Sequence, residues 1–230
     1  MHDNGYFDES VAQVYDSEHG NSDPALIAAT AQVLCKLAAD GPALEFAIGT
    51  GRIALPLQER GVPIQGIELS AAMVAEMRKK ECGTPIPVAI GDMTTTRVAG
   101  DFALVFLVFN TIDNLTTQEA QCTCFRNAAA HLRPGGRFVV ETLIPPLQKI
   151  PYGETTHAFA CTPDHWGIDV FDSATQQYTS NHMRTKNGRV ETLTIPFRYT
   201  WPSELDLMAK LAGLELEHRW SDWHKPHSHI

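Results

Sequence analysis

The stretch Ala43-Leu-Glu-Phe-Ala-Ile-Gly-Thr-Gly-Arg-Ile-Ala54 constrains this chain more than any other. Ala43 to Ile48 is short, apolar and stops at glycine, which is the pattern of a parallel strand covered on both faces. Gly49 and Gly51 let the backbone turn tightly with no Cβ in the way of a ligand. The spacing of apolar residues after Arg52 then predicts a helix. Strand, glycine turn and helix in that order open a doubly wound α/β domain.

The same rhythm continues downstream. Pro24 starts a helical run over Ala25–Ala39, ahead of the first strand. The Arg52–Arg60 helix ends at Gly61, and Ile64–Leu69 reads as a second strand. Ser70 caps a helix through Met73, Val74 and Met77. A third strand, Ile86–Ile90, closes at Gly91-Asp92-Met93. Asp101–Asn110 holds the most apolar run of the chain and is the central strand. Thr116-Thr-Gln-Glu119 predicts a capping box for a helix to about Leu132. Pro134-Gly-Gly136 turns into a fifth strand over Arg137–Leu143. Past Pro145-Pro146, residues 175–200 read as two strands around Asn187-Gly188, a hairpin signal. A last helix runs from Trp201 to Gly213, and Leu214–Trp220 reads as a further strand.

At 230 residues the chain suits one domain with an insert. No apolar run reaches the roughly 18 residues of a membrane span, and Met-His-Asp-Asn-Gly-Tyr has no leader character. Five cysteines without a CxxC pair suggest free thiols in a reducing compartment. The expected location is therefore cytoplasmic. A net charge of −9 argues against a phosphate backbone as partner. Nucleic acid and membrane are both excluded on these grounds. His218, His224, His227 and His229 crowd the end of the chain without metal-ligand spacing, so no metal is expected.

Two cofactor classes use a strand–glycine–helix turn: dinucleotides and S-adenosylmethionine. Here four motifs stand in order. They are Glu45-x-Ala47-x-Gly49-x-Gly51, Glu68 at the end of strand two, Gly91-Asp92-Met93 after strand three, and Leu132-Arg-Pro-Gly-Gly136 before strand five. Over about residues 40–145 this series resembles the class I S-adenosylmethionine-dependent methyltransferases, small-molecule type. The resemblance implies a doubly wound, mostly parallel sheet of seven strands in the order 3-2-1-4-5-7-6, with a small antiparallel insert. It implies S-adenosylmethionine as cofactor and S-adenosylhomocysteine as product. Cofactor contacts then fall to Glu45, Ala47, Gly49, Gly51, Arg52, Glu68, Leu69, Met73, Asp92, Met93 and Phe109. Ala47 departs from the family's first glycine.

The resemblance also implies a domain spanning 1–230, with 1–23 as a lid and 145–200 as an insert roofing the acceptor pocket. Tyr15-Asp16 resembles the lid pair of small-molecule members, and Tyr15, His19 and His165 are the catalytic candidates. Asn110, Asp113 and Tyr178 are the acceptor-binding candidates. Asn110 matches only the first position of the motif that nucleic-acid amino-methylating relatives carry there. The acceptor is then an O or N atom of a metabolite, and the protein a monomer or homodimer. Two alternatives stay open. Gly49-x-Gly51-x-x-Ala54 with Glu68 also satisfies the fingerprint of an NAD(P)-dependent oxidoreductase. A non-catalytic S-adenosylmethionine-binding protein would keep the same motifs without turnover.

Overall fold

A computed structural model describes residues 7–18, 23–81, 83–186 and 188–223. Helices α1 (Glu9–Glu18) and α2 (Pro24–Ala38) precede β1 (Ala43–Phe46). Then come α3 (Ala54–Glu59), β2 (Ile64–Glu68), α4 (Ala71–Lys80), β3 (Val88–Ile90) and β4 (Phe102–Leu107). A short 3-10 turn, Thr111–Asn114, leads to α5 (Gln118–Ala129) and β5 (Leu132–Val140). The strands β6 (Thr156–Cys161), β7 (His165–Asp172), β8 (Gln177–Lys186) and β9 (Arg189–Arg198) come before α6 (Pro202–Leu211).

The first sheet is parallel throughout, in the order β3-β2-β1-β4-β5. All four residues of β1 and all six of β4 are buried, as a central position demands; β4 is apolar throughout, and β1 buries Glu45 among apolar neighbours. Leu104 and Phe106 of β4 pack with Leu34 of α2, Leu57 of α3 and Met77 of α4. Val105 and Leu107 pack on the other face with Phe125 of α5 and Met208 of α6. β5 pairs with β4 on both sides of Pro134-Gly-Gly136, where the register shifts between Phe102 and Leu104 and Gly135 takes a positive φ (77°), so the expected turn is an irregularity within the strand. Ser70 caps α4 as expected, accepting from the Met73 amide at 3.2 Å.

Three expectations need correction. Thr117, not Thr116, caps α5: its hydroxyl accepts from the Ala120 amide at 3.1 Å, and the capping box is not formed. Among the described residues the parallel sheet has five strands, not seven. Residues 214–220 form no strand, and a side-chain ion pair from Arg137 of β5 to Glu217 (2.8 and 3.1 Å) ties that segment down instead. Leu214 packs against the core, and the segment is held by its Glu217 side chain rather than by a strand ladder. The insert, finally, is a separate antiparallel sheet of four strands, β6-β7-β8-β9, rather than one hairpin. The hairpin strands β8 and β9 were legible; Asn187 at their tip lies outside the described residues. No helix among the described residues is long and apolar enough to cross a membrane.

The second sheet is fixed beside the C-terminal end of β4 by a buried polar knot. Arg198, at the end of β9, donates to Glu204 of α6 (2.7 Å), to Gln176 (3.2 Å) and to Gln121 of α5. Gln121 in turn donates to the carbonyls of Ile112 (3.3 Å) and Arg198 (3.0 Å) and accepts from Thr200 (3.0 Å). One guanidinium thus joins both sheets through every polar group it meets. Removing one partner of such a pair strands a buried charge, so Arg198→Ala is expected to cost roughly 3–5 kcal/mol. Urea unfolding measures this; a loss under about 1 kcal/mol would mean the aromatic contacts alone dock the sheet.

Candidate active site

The turn after β1 is held open by backbone conformation. Ala47, Gly49 and Gly51 all have positive φ (53°, 56° and 75°). Glycine does this freely, whereas Ala47 bears a left-handed strain of roughly 1–2 kcal/mol. At Gly51 a Cβ would come within 2.5 Å of the Met77 side chain, so the close packing of turn on α4 needs glycine there. Met73 packs beneath Gly49 rather than facing outward.

Around this turn lies an open cleft of about 380 Å³. Its walls include Tyr15, Glu45, Ala47, Gly49, Arg52 and Phe109. Glu68, at the end of β2, borders it from below. One carboxylate oxygen accepts from the Gly49 amide at 2.8 Å and the other from the Ser70 amide at 2.9 Å. Burial raises the Glu68 pKa, and the amides of Ser70, Gly49 and Leu69 oppose that rise. Glu45 is buried too, and its Oε2 has no hydrogen-bond partner. Burial drives its carboxyl well above the usual range; Arg52 opposes this, Glu68 adds to it, and the Ala54 amide opposes it. The Arg52 guanidinium lies 4.0 Å from the Phe109 ring centre and 5.9 Å from that of Tyr15. An orphaned carboxylate oxygen beside a glycine cradle fits a ligand with a cationic end. Two buried carboxylates suit a dinucleotide pyrophosphate poorly.

Helix α1 crosses the cleft. Asp16 accepts from Thr50 in the turn (2.6 Å) and from Lys80 of α4 (2.6 Å), while Ser70 donates to the Phe7 carbonyl (2.6 Å). Burial pushes the Asp16 pKa up, and the Lys80 and Thr50 hydrogen bonds more than reverse it. Burial also raises the Tyr15 hydroxyl, with Arg52 opposing. His19 lies outside the described residues.

The other sequence-derived candidates follow the ends of β2, β3 and β4 or lie on the second sheet. Leu69 follows β2 and is partly exposed. Asp92 follows β3 and accepts from the Thr94 amide and hydroxyl, both at 2.7 Å, so it caps a turn. Met93 is buried, its carbonyl accepting from Asn127 at 2.7 Å. Phe109 and Asn110 follow β4 with positive φ (57° and 59°). The Phe109 amide is caught by Glu141 at 2.7 Å, a residue at the end of β5 that sequence reading did not single out. Glu141 also accepts from Trp223 at 2.8 Å. Asp113 sits in the 3-10 turn, fully buried, accepting from Thr142 at 3.0 Å. Tyr178 is buried on β8, stacked with Phe171 and Phe197. His165 is on β7, hydrogen-bonded to His182 at 3.0 Å; like Asn110, Asp113 and Tyr178 it does not line the cleft around the glycine turn.

Burial lifts the Asp113 carboxyl from 3.8 to about 7, with Thr142 and Arg198 opposing. A carboxyl raised in the folded state favours the fold at low pH, and that contribution is lost as pH rises through this window. Asp113→Asn cannot ionise. Its stability relative to the unmodified protein is therefore expected to improve from the acid end to the neutral end, by at most about 1.4 kcal/mol per pH unit. Urea unfolding at both ends measures the difference; a difference independent of pH contradicts the assignment.

The comparisons with known proteins agree with this geometry. A family model described as "Methyltransferase domain" matches residues 43–136, the span holding the turn, Glu68, Asp92 and β4. The structure of the CcbJ methyltransferase from Streptomyces caelestis is similar at 32% identity and a TM-score of 0.82, covering 95% of this chain and 90% of that one. A cypemycin N-terminal methyltransferase from a Streptomyces species is 25% identical over 222 residues, 94% of this chain and 89% of the relative. The fold is also that of S-adenosylmethionine-bound CalS10, an amino pentose methyltransferase from Micromonospora echinaspora. That match has 22% identity and a TM-score of 0.63, covering 94% of this chain and 92% of that one. The chain belongs to the class I S-adenosylmethionine-dependent methyltransferases.

Proposed function

We propose that this enzyme transfers a methyl group to a nitrogen atom of a small molecule. The observation that carries the reading is the second sheet: Gln121 ties the end of its β9 to the turn that holds Asp113, at the C-terminal edge of β4 where ligands of open α/β sheets sit. Of the similar proteins above, one is by its printed name an N-terminal methyltransferase and another an amino pentose methyltransferase. The net charge of −9 disfavours nucleic acid as the acceptor.

When bound, S-adenosylmethionine supplies an electrophilic methyl group on a sulfonium. In this reading Glu45 Oε2 accepts from the amino group of its methionine end, and Arg52 and Tyr15 donate to the carboxylate. Glu68 keeps lone pairs for both ribose hydroxyls beyond its two backbone partners. Asp92 and the Met93 amide meet the adenine edge. Helix α1 acts as the lid, and the second sheet walls the acceptor side together with Asn110, Asp113 and Tyr178. Displacement at carbon gains most from alignment, so these residues position the acceptor and exclude water more than they move protons. His165 lies outside the cleft walls and acts through the second sheet.

A radiolabelled methyl-transfer screen across small amines, phenols, sugars and carboxylates is the test. Label is expected in amines. Label in nucleic acid alone, or in none of these classes with cofactor binding intact, contradicts the proposal. With an acceptor in hand, Tyr15→Phe and His165→Ala should each lower turnover less than roughly tenfold, since a dedicated acid–base group contributes far more.

A further inference from the structure

The loop after β3 carries Asp92 and Met93 and is shaped by a turn of its own, the Thr95 and Thr96 amides both donating to the Asp92 carbonyl (3.1 and 2.8 Å). Two side chains outside the loop tie it down: Asn127 of α5, and His131 in the link from α5 to β5. Asn127 is buried and gives its amide hydrogens to the loop, donating to the carbonyls of Met93 (2.7 Å) and Thr96 (3.1 Å). Its Oδ1 is buried without a partner. Leaving a buried acceptor unmet is costly, and an apolar residue would avoid that cost, so what the position gains is the two donors. No sequence signal marked either residue.

His131 completes the tie. The Val98 amide can only donate and the Asn127 carbonyl can only accept. Nε2 therefore accepts from Val98 (3.1 Å), and Nδ1 donates to Asn127 (2.8 Å). These two partners fix one neutral tautomer. A proton added at Nε2 would point at the Val98 N–H, so this loop conformation excludes the imidazolium. The ring is buried, with the rings of Phe46 on β1 and Phe102 on β4 centred 6.0 and 6.1 Å away. The His131 carbonyl accepts from the Phe102 amide at 2.9 Å, which holds the residue to the sheet. Burial lowers its pKa, the Asn127 carbonyl opposes this, and Arg97 on the loop adds to it.

We propose that Asn127 and His131 are positioning residues for the cofactor: together they hold the loop from Asp92 to Val98 in the shape that meets adenine, and only the neutral imidazole can do so. This rests on the reading above that places Asp92 and the Met93 amide at the adenine edge. Binding then excludes a proton from His131, so affinity is full at high pH and falls as pH drops through the pKa of the imidazole in a released loop. With an ordinary value of 6.5 there, the loss reaches up to roughly tenfold at about pH 5.5. Glu45 and Glu68 border the same ligand and their carboxyls are raised by burial, so the comparison has to be between proteins that keep both.

The test is calorimetric titration of the full chain with S-adenosylhomocysteine and with S-inosylhomocysteine, which has a carbonyl in place of the adenine amino group. The unmodified protein is expected to prefer the adenine ligand at least roughly tenfold, and Asn127→Leu to reduce that preference at least roughly threefold. His131→Gln offers an acceptor to the Val98 amide but takes no proton. Its loss of S-adenosylhomocysteine affinity between about pH 7.5 and about pH 5.5 should be at least roughly threefold smaller than that of the unmodified protein. An equal acid loss in the two proteins, or an adenine preference unchanged in Asn127→Leu, overturns the proposal; should Asn127→Leu not fold, the acid loss alone decides. Equal binding of the two ligands by the unmodified protein overturns the Asp92 reading instead, so the two failures are distinguishable.

Discussion

The carboxylate of Glu68 is the point on which the ligand-binding end of this fold depends. It is 6% exposed and bonds the Gly49 amide with one oxygen and the Ser70 amide with the other. Those amides belong to the turn after β1 and the start of α4, so one side chain sets the spacing between two adjacent crossovers. Ser70 carries the constraint outward by capping α4 and gripping the Phe7 carbonyl. Asp16 completes the arrangement by clamping α1 to Thr50 and Lys80. Hydrogen bonds from backbone amides to a charged acceptor contribute roughly 1.5–3 kcal/mol each, which offsets part of the cost of burying the charge.

The two sheets divide the work. The parallel sheet supplies rigid strand ends, and its glycine turn lets the backbone approach a ligand closely. The antiparallel sheet brings aromatic and acidic side chains over the adjoining edge, held there by the Arg198 knot rather than by continuation of a strand ladder. Glu141 serves the junction by holding Phe109 in its left-handed conformation, where the ring meets Arg52. Carboxylates recur at each of these places.

Much of this was legible because parallel strands are buried on both faces and read as unbroken apolar runs. Phe102–Leu107 is such a run, Ala43–Phe46 is one interrupted only by Glu45, and Gly49 and Gly51 mark the turn between strand and helix. Ser70 announced a helix start through its own side chain. The antiparallel sheet was half hidden: β6 and β7 mix His157, Phe159, His165, Trp166 and Asp169, with one face bare and the other partly polar. No periodicity separates such strands from loop. Thr116 and Thr117 are equivalent as caps until tertiary contacts choose between them. Residues 214–220 looked like a strand from Leu214 and Leu216, yet their charges favoured a side-chain tether to Arg137. Site residues with a local motif, such as Glu45 and Glu68, could be named in advance. His131 and Glu141 gain meaning only from what the fold brings beside them.

The account's central claim is that one cleft, between the glycine turn, Glu68 and Phe109, holds the cofactor. Its most direct test is an experimental structure of the protein with S-adenosylhomocysteine bound. The account predicts the ribose hydroxyls on Glu68, the amino group on Glu45 Oε2 and the carboxylate near Arg52 and Tyr15. A nucleoside bound elsewhere, or bound in this cleft with Glu68 turned away from the ribose, would contradict it.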